Sequence, residues 1–485
     1  MRFTIRGATV IAAILLFGSG VSAQKPSSST AARQQRALDS LTAVVRAMQL
    51  RMDSLTARRA VSANTPADSA AAPNAVAAAD SATAIEAADS ATAIEAVDSA
   101  ATIPEVSAQP SAAPASGAYV NIGFVSLTDA GWSTERDVAS LQRGDHDPHV
   151  RGFTLPNTEL TFDGAVDPYF KGFANIVYKL NAAGETGVEL EEAYALTTSL
   201  PANLQLKFGQ FVTEFGRQNS QHPHAWSFVD QPLVLNRMFG PDGLRSQGAR
   251  LSWLVPTPFY TELLVSVLNS AGGSTSSFRA DNSSEIHGGV AVDRPVGTLR
   301  DMLVVPRIAS SFDLSDTQTL LVGASAAVGP NNSGPTARTQ IYGVDAYYKW
   351  KPATAQAGFP FVSFQSEAMT RRYGAAERAL ATGDVATLPK ETLRDHGAYA
   401  QVLYGIKPRI VAGLRGEFAN GVDAAFAAPL RADRYRISPN FTWYPTEFSK
   451  VRLQYNYDDR KGIGSDHSLW VQFEFLLGAH AAHKF

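Results

Sequence analysis

Cysteine is absent from the 485 residues. That excludes a disulfide framework, thiolate metal sites and a cysteine nucleophile. Beyond residue 23 no run of 18 or more apolar residues occurs, so no transmembrane helix is available. A net charge of -3 gives no sign of a nucleic-acid partner. No phosphate-cradling loop, HExxH or GxSxG motif is present, so no enzyme and no cofactor are expected.

What is present begins with MRFTIRGATVIAAILLFGSGVSAQ. Arg2 and Arg6 precede the apolar stretch Ala8 to Phe17, and Val21-Ser22-Ala23 form a small-residue cleavage site. Residues 1–23 therefore read as a secretory signal peptide. Over residues 31–60, Leu38, Leu41, Val45, Met48, Met52 and Leu55 alternate spacings of three and four, which predicts a short coiled coil. Residues 61–117 are rich in Ala, Asp and Ser and repeat ADSATAIEA at Ala79 and Ala88. Such a segment has too little apolar surface to offset its ordering and is expected to be a disordered linker.

From residue 118 to 485 aromatics, glycines and alternating segments take over. In KVRLQYNY, Val451, Leu453, Tyr455 and Tyr457 share one parity and Arg452, Gln454 and Asn456 the other. Strict alternation means a strand with two unlike faces. Sixteen such strands can be laid down, all in one all-β, antiparallel scheme. Every second connection is short (GAVDP, SLP, PTP, LSD, GIKP), whereas the others tend to be long, polar and Gly-rich. That alternation predicts a 16-stranded antiparallel transmembrane β-barrel, apolar toward lipid and polar toward a watery lumen. Tyr169, Tyr260, Tyr348, Trp350, Trp443, Tyr444 and Trp470 are expected in the interfacial aromatic belts. The last strand shares its apolar parity with the terminal Phe485.

Two segments, LKFGQFVTEFGRQ at Leu206–Gln218 and RMFGPDGLRSQGARLSW at Arg237–Trp253, carry a resemblance. They are similar to a strand, third outer loop and following strand of the phosphate-selective porins, the porin O/P-like family of outer-membrane β-barrels. The resemblance implies a homotrimer in the outer membrane of a Gram-negative-type bacterium, in contact with membrane lipid. It further implies passive diffusion of small polar solutes; the family's anion specificity does not carry over, because its channel arginines and lysines do not align residue by residue, and anionic solutes rest on the arginine strip below. It also implies that the third long loop folds inward. Glu214, Arg217, His222, His224, Asp230, Arg237, Asp242 and Arg245 are then the constriction candidates.

Parity alone assigns Arg409, Arg415, Glu417, Arg434, Arg436 and Arg452 to the water-facing wall. An arginine on the lipid face would cost about 2–4 kcal/mol at midplane. Together these arginines either attract anions as a basic strip or sit paired with Glu417, Asp433 or Glu474. Histidines group as His146 with Asp145, Asp147 and His149, as His222 with His224, and as His480 with His483. Short histidine pairs in loops are usually incidental, and no metal site is assigned. The alternative function is a divergent transporter resembling the energy-coupled (TonB-dependent) receptors without a recognisable plug, taking up a metal or chelate. Peptidoglycan contact through the N-terminal segment is compatible with either reading.

Overall fold

The computed structural model describes residues 118–478, apart from 166, 182, 281–283, 357, 382–386, 423 and 427. The signal peptide, coiled coil, linker and terminal phenylalanine lie outside the described residues. The chain first forms β1 (Tyr119–Ser133), β2 (Gly152–Ala165), β3 (Phe170–Leu180), β4 (Thr186–Thr197) and β5 (Leu204–Val212). After the short helix α1 (Leu233–Phe239) come β6 (Arg245–Leu254), β7 (Thr261–Leu268), β8 (Leu303–Ser315) and β9 (Gln318–Pro330). Next are β10 (Arg338–Trp350), β11 (Phe361–Ala375) and a two-residue ladder, β12 (Arg378–Ala379) with β13 (Thr387–Leu388). The last strands are β14 (Glu391–Lys407), β15 (Ile410–Gly421), β16 (Arg434–Thr446), β17 (Ser449–Arg460) and β18 (Gly464–Gly478).

All of these except β12 and β13 form one closed barrel of 16 strands, each paired with its sequence neighbour. Closure comes from β1 running antiparallel to β18, from Gly123 opposite Gly478 to Ser133 opposite Ser468. No edge remains unpaired, which is what a sheet in hydrocarbon requires. The alternation of short and long connections holds in outline, with residues 181–185 and 331–337 brief on the long side and one further departure from expectation. The expected long connection after Asp458 shrinks to three residues, because β17 runs on to Arg460 and β18 starts at Gly464.

Parity sorts the two faces cleanly. Leu453 is 45% exposed on the outside, whereas Arg452 and Gln454 beside it are 1% and 0% exposed inside. Tyr435, Ile437, Phe441 and Trp443 of β16 point out, as do Leu469, Val471 and Phe473 of β18. A closed barrel with an apolar, aromatic-edged exterior has the architecture of an outer-membrane β-barrel. Two belt residues are corrected. Trp470 is fully buried inside, against Val138, Leu141 and Val229, and Tyr444 packs inward on the Phe228–Phe361 cluster. Their parity is that of the interior residues of their strands; position near a strand end did not decide their side.

The poor alternation of VELEEAYALTT has a structural cause. Asn175 of β3 pairs with Glu192 and Ile176 with Leu190, leaving Glu191 as the extra residue of a β-bulge. The phase slips by one, so the adjacent Glu191 and Glu192 both face inward and are buried. In β2 a similar slip opposite Leu127–Asp129 accommodates Pro156, which has no amide to donate to the ladder.

The girdle yields a direct prediction. Leu453→Arg, near the middle of β17, should destabilise the barrel by about 2–4 kcal/mol, read by denaturant refolding into lipid vesicles. An unchanged midpoint would mean that this face does not contact lipid.

Candidate functional site in the barrel interior

The barrel interior holds an acidic arc and a basic arc. The first consists of Glu159 on β2 with Glu191 and Glu192 on β4, all buried. The second is Arg415 on β15, Arg436 on β16, and Lys450 and Arg452 on β17, also buried. Along the barrel wall β1 and β18 separate β2 from β17. Buried charges of this density require partners. The partner is a loop.

That loop, residues 213–244 between β5 and β6, enters the barrel and bonds to the wall strand by strand. At its start Glu214 takes a 2.8 Å bond from Lys207 and an ion pair from Arg250, and these cations outweigh burial to lower its carboxyl to about 2. Glu367 of β11 then accepts the backbone amides of Arg217 (3.1 Å) and Gln218 (2.6 Å). Gly216, immediately before them, has φ +63°, and a Cβ there would lie 2.0 Å from the Glu367 carboxylate. Only glycine satisfies both the left-handed backbone and that approach. The Arg217 guanidinium donates to Gln365 at 3.1 Å and lies 4.2 Å from the Tyr347 ring centroid.

The middle of the loop matches the acidic arc. His222 lies 3.0 Å from Glu191 and 2.9 Å from Glu192, and His224 stacks on it and reaches Glu159 at 3.0 Å. Burial alone would lower the His222 pKa, but Glu191, Glu192 and Glu159 hold it well above the ordinary histidine range.

The next stretch matches the basic arc through its backbone. Carbonyls of His224, Trp226, Ser227, Asp230 and Gln231 accept from Lys450, Arg452 (2.7 Å), Asn440 (2.7 Å), Arg415 (2.9 Å) and Arg436 (2.7 Å) in turn. Asp230 joins this ladder with its side chain, paired with Arg415, with Arg436 at 2.9 Å and with Arg143 at 3.3 Å. Gln454 and Asn456 add bonds of 2.8 and 3.0 Å. Burial pushes this carboxyl upward, and the three guanidiniums overrule it and hold it far below the usual range.

Helix α1 follows. Its first amide, on Leu233, donates to Glu417 at 2.6 Å, and Glu417 also takes Arg415 (2.8 Å) and Arg436 (2.7 Å). Val234, Leu235, Met238 and Phe239 join Phe211, Phe215, Phe278, Ile341 and Tyr399 in a fully buried apolar cluster. The expected watery lumen is thus partly replaced by a hydrophobic core between loop and wall.

Two further long connections also turn inward. Arg143 and Asp147 of residues 134–151 bind Asp230 and the Gln231 amide. Ser277 of residues 269–302 binds the Met238 carbonyl and accepts from Arg371 at 2.8 Å.

Among the expected wall residues, Arg415, Glu417, Arg434, Arg436 and Arg452 are buried on the inner face. Arg409 is not. It lies exposed in the turn before β15, with φ +70°, and donates to the Pro445 carbonyl, because the strand starts one residue later. Arg415 and Arg436 are paired with Glu417 and Asp230, and Arg434 with Asp458 at 2.8 Å, whereas Arg452 donates to Gln472 (2.7 Å) and the Trp226 carbonyl (2.7 Å). Asp433 binds Lys461 and Glu474 binds Lys450 instead.

Of the loop candidates, Arg237 donates to the Ala432 carbonyl (2.7 Å), and Asp242 pairs with Arg245, which is the first residue of β6. Sequence reasoning missed Glu159, Glu191, Glu192 and Glu367. The adjacent pair Glu191-Glu192 inside an otherwise alternating strand was the available signal.

Between the loops and β11, β15 and β16 lies a cavity of about 280 Å³ lined by Arg143, Arg237, Arg371, Arg431 and Arg434, with Glu285 as the acidic member. Asp395 carries Arg371 (2.8 Å) and Arg431 (3.0 Å), while Arg237 stands 3.9 Å away from it.

Removing one partner from a buried ion cluster costs about 3–5 kcal/mol. Asp230→Asn should therefore loosen the loop, and single-channel recordings should show larger and noisier conductance than the parent. Identical traces would show that Asp230 does not anchor the loop.

No family model matches the chain. Among solved structures, the outer-membrane channel DcaP of Acinetobacter baumannii aligns with 16% identity and a TM-score of 0.48, covering 74% of this chain and 98% of that one. The anion-selective porin from Comamonas acidovorans aligns with 8% identity and a TM-score of 0.48, over 74% and 100%. At these scores the likenesses carry no weight beside the barrel's own geometry. A protein of Aquifex aeolicus, described as uncharacterized, is 34% identical over 359 residues, 69% of this chain and 70% of its own length. The chain belongs to one family with that Aquifex aeolicus protein.

Proposed function

We propose that the chain is an outer-membrane porin that passes small polar solutes by passive diffusion and favours anions. The observation that carries this reading is the third long connection, docked inside a closed barrel beside the cavity with five arginines. In trimeric porins an inward loop of this kind narrows the channel and ranks solutes by size and charge. Cations outnumber carboxylates around the cavity, and Arg237, depressed to about 10 by burial and by Arg371, Arg434 and Arg431 despite Asp395, registers that crowding. A local excess of fixed positive charge raises the concentration of mobile anions there.

Assembly as a homotrimer and peptidoglycan contact through the N-terminal segment belong to the same proposal. They rest on the heptad pattern of residues 31–60. The two segments that resemble phosphate-selective porins border the docked loop, so phosphate and small carboxylates are the solutes to try first.

Planar-bilayer recording in a salt gradient tests the reading. The expected result is conductance with an anion-selective reversal potential. In the double variant Arg237→Gln, Arg434→Gln that potential should move toward zero. Cation selectivity of the parent would defeat the preference, and complete absence of conductance would defeat the porin reading.

A further inference from the structure

The first and third long connections meet at a group of metal-ligating side chains that the proposed transport function does not use. Asp145, His146 and Asp242 each place one ligand atom within 4.8 Å of the others. His146 is 5% exposed, and neither ring nitrogen makes a hydrogen bond of good geometry. Its Nε2 lies 3.3 Å from Asp242 Oδ1 and 3.6 Å from Glu191 Oε1. Those separations are long for hydrogen bonds. They suit co-ligands, since donors about 2.0–2.1 Å from a tetrahedral ion stand roughly 3.3 Å apart. Beside the imidazole is a small cavity of about 30 Å³, lined among others by His146, Glu191, His222 and Asp242.

We propose that Asp145, His146 and Asp242 form a site for a divalent transition-metal cation of the Zn²⁺ class, with Glu191 able to supply a fourth oxygen. The donor set is mixed nitrogen and oxygen, which suits zinc, nickel or manganese better than calcium or copper(I). The two carboxylates carry the charge that a divalent ion neutralises, and the imidazole gives up any second proton when it coordinates.

At present Lys179 pairs with Asp145 and Arg245 pairs with Asp242. A cation entering the site displaces them without stranding either. Lys179 already binds Glu189 at 2.9 Å, and Arg245 is paired with the same Glu189. Asp145 and Asp242 are partly exposed, which leaves a way in from solution. A bound ion joins residues 134–151 to the C-terminal end of the docked loop and so clamps the two connections together. The inference does not depend on which solute the barrel passes.

The test uses the full chain, folded in detergent, stripped with a chelator and titrated with Zn²⁺ against a chromophoric indicator. One tight equivalent is expected. His146→Gln and Asp242→Asn should each weaken it by about tenfold or more, and His396→Gln, on the exposed face of β14, should leave it unchanged. If His146→Gln fails to show the heat-modifiable migration of a folded barrel, Asp145→Asn takes its place with the same expected loss. Absence of tight binding by the parent, or equal affinity in these ligand variants, overturns the site.

Discussion

Charged groups inside a barrel need partners, and the connection 213–244 is where many of them meet. Basic side chains on β15, β16 and β17 donate to a run of loop carbonyls from His224 to Gln231, and Asp230 ties three guanidiniums together. Two histidines of the same loop close on Glu159, Glu191 and Glu192. A backbone buried without secondary structure leaves carbonyls that need donors, and the wall provides them. Ion clusters of this type add little net stability, because desolvation offsets attraction, but they make one placement of the loop far better than its alternatives. Wall and loop therefore define each other.

The apolar cluster around Phe211, Phe215, Met238 and Phe239 completes that arrangement. It packs the loop against the wall from β5 to β14 and gives α1 a surface to bury. Open space among the described residues includes the cavity among the arginines near Asp395 and Asp458 and a second one of about 350 Å³ beside Asp145, His149 and Lys179. Arg415, Arg436 and Arg452 hold the loop from one side, and Arg143 and Arg371, which also line the cavity, hold it through Asp230 and the Arg237 carbonyl. The basic residues thus act first as a docking strip.

Much of the fold was legible because side-chain parity is local. KVRLQYNY and RYRISPNFTWY announce their two faces by themselves, and the alternating loop lengths announce the hairpin series. Parity also placed Arg415, Arg436 and Arg452 inside. It failed at Arg409, where one residue's difference in strand start moved a wall arginine into a turn. At Trp470 side-chain parity and the aromatic-belt expectation disagree, and parity decides the side. The bulge at Glu191 blurred the alternation of β4, although the paired glutamates mark it in hindsight. The interior core was not readable, since Phe278, Ile341 and Tyr399 converge on the loop only through tertiary packing. For the same reason Asp242 could not be joined to His146 from sequence.

Hydrogen exchange on the detergent-folded chain addresses the docked loop most directly. Amides of Gly216, Arg217, Gln218, Val229 and Leu233 bond to side chains of β9, β11, β17 and β15. They should exchange as slowly as strand amides, within the range set by cooperative opening. Exchange of these amides at the rate of an unstructured surface loop would contradict the account at its centre.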